Sequence, residues 1–555
     1  MDRTALFPRP PVGGASRRPL LRTAALCLML ILSACALPTR GSGQVIAAAP
    51  PGLTYGSTQE PDTLNPILTM TAAGQAIGSA IFDSLLQPDS RNVLRPHLAT
   101  SWEHSGDYTT WTFHLRHGVV FADGVALTST DIYYTYLVLV NPRIKVASAQ
   151  GWDLIDRMRT PDRFTVVMHV RQVTAPWLSQ VATTPIIPKH ALYQTKDFAT
   201  DPFNRAPFGT GPFRVAAWLP GDRIILVANT RCWQGTPWLH TITYKLYPDD
   251  AHLLAALRAG TASMGLINPQ QALQAARMGG MRLVETPSLT WYHVDLKQWG
   301  FLREQAVRQA LDFATPKEAI VREILGGHGQ VATGDIPPFL PGYAPSARVH
   351  QYDPLRAAEI LAANGFRPGP GGILQRCARG TGCAPLQIDL WSVAGDEAAR
   401  RVNIRLAQEW QSIGVRVSVG SEPASQLFGS TGPQFTPQAT GITYGWTNGS
   451  DPDDRFYWNS AFIPASPSAV GGNDIAYFYR FTFQQEIDTL TDTGVGQTDP
   501  AKRRVVYTRI QALLADQVPA IFLYWPTTIM AVPVALRAFA PSPYAQLFWN
   551  VAAWQ

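Results

Sequence analysis

Past its first forty residues this 555-residue chain has no second long apolar run, so the remainder is expected to stay out of the bilayer, where a spanning helix needs about 20 apolar residues. Cysteine is scarce, five in all, and only Cys232, Cys377 and Cys383 lie beyond residue 35. The formal charge is a modest +6, and its Lys and Arg residues are scattered, without the basic stripe that marks a nucleic-acid binder. The chain has no GxSxG elbow, no HExxH helix and no carboxylate pair with independent motif support. His114 and His117 have HxxH spacing, but on a strand they point to opposite faces and cannot share a metal. The glycine-rich Gly209-Thr210-Gly211-Pro212-Phe213 lacks the Lys-Ser/Thr of a phosphate loop and precedes a strand instead of a helix. Nothing in the chain calls for catalysis, a metal or a cofactor.

What is present begins with a leader. Arg3, Arg9, Arg17, Arg18 and Arg22 precede an apolar run from Ala24 to Leu32, the pattern of an export signal too short to span a membrane comfortably. Leu32-Ser33-Ala34-Cys35 fits a bacterial lipobox, which makes Cys35 the lipidated first residue of the mature chain, with residues 1–35 as signal peptide and 36–52 as tether. Ser16-Arg17-Arg18-Pro19-Leu20-Leu21 also resembles a twin-arginine signal. The expected location is outside the cytoplasm, in the periplasm or on the cell surface, anchored by lipid. There, Cys377 and Cys383, flanking a short Gly-containing loop, suit a disulfide, and Cys232 is left as a buried small hydrophobe. With 46% hydrophobic residues, a chain of this length can bury a large core in two to four domains.

The segment from Leu94 to Tyr136 carries the densest pattern. Trp111, Phe113 and Leu115 alternate with Thr112, His114 and Arg116 as one buried strand face requires, and Asp123-Gly124 signals a tight turn. Its Pro96, Leu98, Ala99, Trp102, Glu103, Asp107, Phe113, Leu115, Arg116, Gly118, Phe121, Asp123, Gly124, Thr128 and Asp131 together resemble the bacterial extracellular solute-binding proteins of family 5, the peptide/nickel type. Further landmarks follow in order: Glu60 to Pro66, Ile81 to Leu86, Gly209 to Phe213, Ala255 to Gly260 with Ser263 where the family often has Asp, a helix presenting Val307, Ala310, Leu311 and Ala314 on one face, and a helix from Tyr352-Asp353-Pro354 to a C-cap at Asn364-Gly365. A helix with Ala399, Val402, Leu406 and Trp410 precedes a strand with Val415, Val417 and Val419, as in an α/β lobe.

The resemblance covers about Leu53 to Trp525 and implies an α/β, two-lobed periplasmic-binding (Venus-flytrap) fold with mixed sheets and an additional N-terminal-side domain. The implied division is residues 53–85 with about 200–288 and 520–555 as one discontinuous lobe, about 86–199 as the extra domain, and about 289–519 as the ligand-closing lobe. It also implies that the loop Tyr444-Gly445-Trp446-Thr447-Asn448-Gly449-Ser450-Asp451-Pro452-Asp453 lines the interlobe cleft. Peptide-binding relatives hold the ligand's α-ammonium with an Asp of this loop. Here the loop is about one residue shorter, and Asn448 or Ser450 stands near that place, with Asp451 as an approximate substitute. Arg400 or Arg401, in an Ala-Arg-Arg segment, would pair with a ligand carboxylate. Tyr444, Trp446, Thr447 and, more weakly, Tyr292 complete the expected ligand set.

The implied function is that of a monomeric extracytoplasmic receptor of an ABC importer. It would close on a di- or oligopeptide and deliver it to two permease subunits served by ATPases. Nickel chelates, haem, oligosaccharides and opine-like solutes are alternative ligands, and a secreted hydrolase or a tethered chaperone on the same scaffold are alternative roles.

Overall fold

In the computed structural model the residues described are 52–345, 350–378, 382–437, 439–469 and 471–555. The expected signal, Cys35 and the tether up to residue 51 lie outside them, while Gly52, the expected end of the tether, opens the first strand, Gly52–Ser57. The alternation at Trp111 to Leu115 produces the strand Thr110–Leu115, whose Trp111, Phe113 and Leu115 are buried. It pairs antiparallel with Ala99–His104 and Thr165–Val170, and the latter pairs with Ile155–Asp162, giving a four-stranded sheet within the expected extra domain. The Asp123-Gly124 turn forms as read: Gly124 takes φ +98°, and Phe121 N–H donates to the Val125 carbonyl at 2.8 Å. The following helix, Ser129–Leu139, starts on a capping box between Thr128 and Asp131, which satisfies amide groups that a helix end leaves open.

A mixed sheet forms the centre. Its order is Arg416–Glu422, Gln387–Val393, Gly441–Thr447, Thr290–Leu296, Ala520–Pro533, Met264–Ile267, Gly52–Ser57, Thr241–Leu246, Arg223–Ala228 and Phe213–Leu219. It combines parallel pairs, such as Gly52–Ser57 with Thr241–Leu246, and antiparallel ones, such as Thr290–Leu296 with Gly441–Thr447. The long strand Ala520–Pro533 joins the two halves. Its residues Ala520 to Tyr524 pair with Asp295 to Tyr292, while Ile529 to Ala531 pair with Ile267 to Gly265. The expected last segment of the first lobe, from 520, begins with this strand, whose first half pairs with the strand Thr290–Leu296.

Each half has its own core. Val307, Ala310, Leu311 and Ala314 are buried on one face of the helix Gln305–Phe313 and its C-cap, packed with Leu361, Val402, Leu406 and Trp410. The first lobe and the extra domain share another, containing Leu53, Tyr55, Ile81, Phe113 and Phe213. Neither Gly209 nor Gly211 takes a positive φ, the conformation for which glycine is usually needed. They permit close approach instead: a Cβ would stand 2.2 Å from the Ile81 carbonyl oxygen at Gly209 and 2.7 Å from the Ile81 carbonyl carbon at Gly211. Gly211 N–H donates to the Ile81 carbonyl at 2.9 Å, sealing the end of the helix Ala72–Ile81. Cys377 and Cys383 face each other in the register of the strands Leu374–Ala378 and Gly382–Pro385, and their sulfurs are bonded. Cys232 is free and buried, and burial pushes its thiol up to about 11. Among the described residues no helix is long and apolar enough to cross a membrane.

Candidate functional site

A cavity of about 1440 Å³ opens between the two halves of the sheet and the extra domain. Its wall takes Tyr55, Ser57 and Gln59 from the first strand and its exit, Asp153 and Gln180 from the extra domain, Thr286 to Ser288 from the junction of the lobes, and Leu289, Thr290 and Thr447 to Asp451 from the opposite lobe. Most of the polar lining is hydroxyl and amide, groups that can donate or accept without charge. The volume of about 1440 Å³ exceeds the roughly 300–1,000 Å³ usual for a small-molecule site, so the cavity has room for a larger occupant.

The loop after Thr447 is held from both sides. Thr447 Oγ1 lies 2.8 Å from Thr290 Oγ1 across the paired strands. Asn448 accepts from Trp291 Nε1 at 3.0 Å and donates to the Asp335 carbonyl at 2.6 Å, so its amide is a spacer fixed at both ends. Ser450 offers its carbonyl to Asn92 Nδ2 of the extra domain at 2.7 Å. Asn92 itself adopts φ +63°, a conformation Asn tolerates better than most residues.

Asp451 reaches the cavity wall, but its charge is already matched. Arg503, on the helix Pro500–Gln517, donates to both carboxylate oxygens at 2.6 Å and to the Gly494 carbonyl at 2.8 Å. Next to it, burial holds Asp453 above the ordinary carboxylate range despite Arg455 at 3.4 Å. Behind the wall, Asp454 and Asp335 are fully buried. Trp458 Nε1 donates to Asp335 at 2.7 Å, whereas neither oxygen of Asp454 has a partner. Desolvation, and for Asp454 the nearby negative charge of Asp335, hold both carboxyls above the usual range.

Of the residues singled out from sequence, Thr447, Asn448, Ser450 and Asp451 line the cavity, whereas Tyr292, Arg400, Arg401, Tyr444 and Trp446 do not. Tyr444 is buried, donating to Asp295 at 2.7 Å, and Trp446 donates through Nε1 to the Tyr444 hydroxyl at 2.9 Å while packing on Phe456 and Tyr457. Two residues apart on one strand, they share the face opposite Thr447. Tyr292 stacks on Tyr524 with centroids 4.9 Å apart and donates to Asp396 at 3.0 Å. Arg400 and Arg401 sit on the helix Glu397–Ser412. Arg400 makes a bidentate pair with Glu397 on its own helix surface, and Arg401 donates to the Glu323 carbonyl at 3.3 Å. The residues that sequence reasoning missed, Arg503, Asn92, Asp153 and Asp250, come from segments without any motif. Asp153 and Asp250 reach the wall, and Arg503 and Asn92 hold wall residues from outside it, only through tertiary placement.

Comparison with known proteins agrees with this architecture. Residues 93–464 match the family described as bacterial extracellular solute-binding proteins, family 5, middle region. The chain is 29% identical to Protein XP55 of Streptomyces lividans over 87% of this chain and 85% of the relative. It is 25% identical to the oligopeptide-binding protein AppA of Bacillus subtilis over 95% and 97% of the two chains. The solved structure of that AppA with a nonapeptide aligns at a TM-score of 0.76, covering 91% of this chain and 98% of that one at 24% identity. NikZ from Campylobacter jejuni, solved with Ni(L-His), aligns at 0.77 with 91% and 99% coverage and 21% identity. The chain belongs to the bacterial extracellular solute-binding proteins of family 5.

Proposed function

We propose that this protein is the substrate-binding receptor of an ABC importer and that its ligands are oligopeptides. The observation that carries the reading is the cavity of about 1440 Å³, whose polar lining is chiefly uncharged hydrogen-bonding side chains, in a chain related along almost its whole length to an oligopeptide-binding protein. A peptide backbone offers one donor and one acceptor per residue, the complement of such a wall. A dipeptide or a small metal chelate would leave much of the space to water. The mechanism is closure: contacts to both lobes favour the closed state in proportion to their differential affinity for it, and the closed state is what a permease would recognise. The mature chain acts as a monomer, tethered by lipid on Cys35, with residues 86–199 as a domain added to the two lobes. It performs no chemistry on its ligand.

Native mass spectrometry of the chain without residues 1–35, purified from its export compartment, tests this. A ladder of peptide masses is the expected result. A single non-peptide mass would replace the ligand class while keeping the receptor role.

A further inference from the structure

Charge along the cavity wall is one-sided. Asp153, Asp250, Asp451 and Asp453 line it, and Arg455 is the one basic lining residue among those described. Two of these acids are matched in place, Asp451 by Arg503 at 2.6 Å and Asp453 by Arg455 at 3.4 Å. Arg455 also lies 4.0 Å from Asp492. Held between two carboxylates, it is not free to clamp a ligand carboxylate. Asp153 and Asp250 have no ion-pair partner among the described residues. Asp250 accepts a single long hydrogen bond, 3.3 Å from Asn268 Nδ2, and Asp153 is exposed on the turn Trp152–Leu154. They stand on different parts of the fold, one in the extra domain and one at the start of the helix Asp250–Ala259, so the negative field belongs to the wall and not to a single acidic knot. A second feature points to a ligand: the Thr174 hydroxyl, on a residue only 8% exposed and lining the same cavity, has no hydrogen-bond partner.

A cleft with walls of low dielectric and one sign of unmatched charge concentrates ligands of the opposite sign. Resting on the oligopeptide reading, we infer that the cleft selects cationic peptides, with Asp153 and Asp250 drawing the ligand's ammonium or guanidinium groups and no protein cation engaging its carboxylates.

The test is titration calorimetry of the ligand-stripped mature protein with three length-matched peptides, rich in Lys, Ser or Glu. The Lys peptide is expected to bind about tenfold tighter than the Glu peptide, a difference of about 1.4 kcal/mol, and added salt should narrow the gap. In the double variant Asp153→Asn/Asp250→Asn, with folding checked by circular dichroism, the gap should close. Equal binding of all three peptides would overturn the charge selection and leave the oligopeptide reading standing. A gap that persists in the double variant would overturn the role of the two acids. Binding of none of the three would overturn both readings.

Discussion

Arg503 meets Asp451 fork to fork, both nitrogen–oxygen distances being 2.6 Å, so this acid of the cavity wall already has its charge matched within the protein. Arg503→Met would strand a half-buried carboxylate. Unfolding in urea should become easier by about 2 kcal/mol, less than for a fully buried pair because both side chains retain some exposure. An unchanged midpoint would show that water replaces the guanidinium at no cost.

Arg400 and Arg401 lie outside the cavity wall, whereas Asn448 fixes the loop within it. Alanine at either arginine should leave affinity for the co-purified ligand within about threefold, as for exposed charges. Asn448→Ala should weaken it about tenfold, since two hydrogen bonds that place the loop are lost. Calorimetry that ranks the arginine variants below Asn448→Ala would refute this.

Lys317 is buried 2.7 Å from Asp312, whose other oxygen accepts from His350 Nδ1 at 2.9 Å. The nearby charges hold the Asp312 carboxyl below its ordinary range in spite of burial. Lys317→Met should destabilise the lobe by about 3–5 kcal/mol, the cost of leaving a buried charge without its partner. The double variant Lys317→Met/Asp312→Leu should recover part of that loss, and a pair of urea curves decides it.

Thiol counting checks the covalent link. The denatured, oxidised chain without residues 1–35 should expose one reactive thiol, Cys232, because Cys377 and Cys383 are bonded to each other. Three would mean that the bond does not form during export.

Asp454 is buried without a hydrogen-bond partner and its carboxyl is raised. The folded chain thus keeps a proton that the unfolded chain releases near pH 4. The stability linked to this group is fully present below that pH and drains away as pH rises through the raised folded value. Asp454→Asn should therefore gain on the order of 1–2 kcal/mol at neutral pH and little near pH 4. Equal effects at the two pH values would remove the assignment.

Much of the architecture is legible because it is periodic. The two-residue alternation at Trp111 to Leu115 and the helical spacing of Val307, Ala310 and Leu311 each specify an element and its buried face. The same periodicity, applied to Tyr444, Trp446 and Thr447, separates the two aromatic residues from the cavity-facing threonine. The Asp451–Arg503 pair was beyond such reasoning, since 52 residues separate the partners and nothing local to Arg503 marks it. Asp153 and Asp250 were equally silent, for the sign of a cavity wall is a sum over segments that meet only in the folded state.

The strand Ala520–Pro533 bears on how the molecule is assembled over time. Because it hydrogen-bonds to both halves of the central sheet, neither half is complete until the last tenth of the chain is available. The opening strand Gly52–Ser57 likewise waits for Thr241–Leu246 and Met264–Ile267. Pairings of such long sequence separation form slowly. A polypeptide emerging N-terminus first therefore stays unlocked until its C-terminal region arrives, and truncations that remove only that final strand should leave both lobes unfinished.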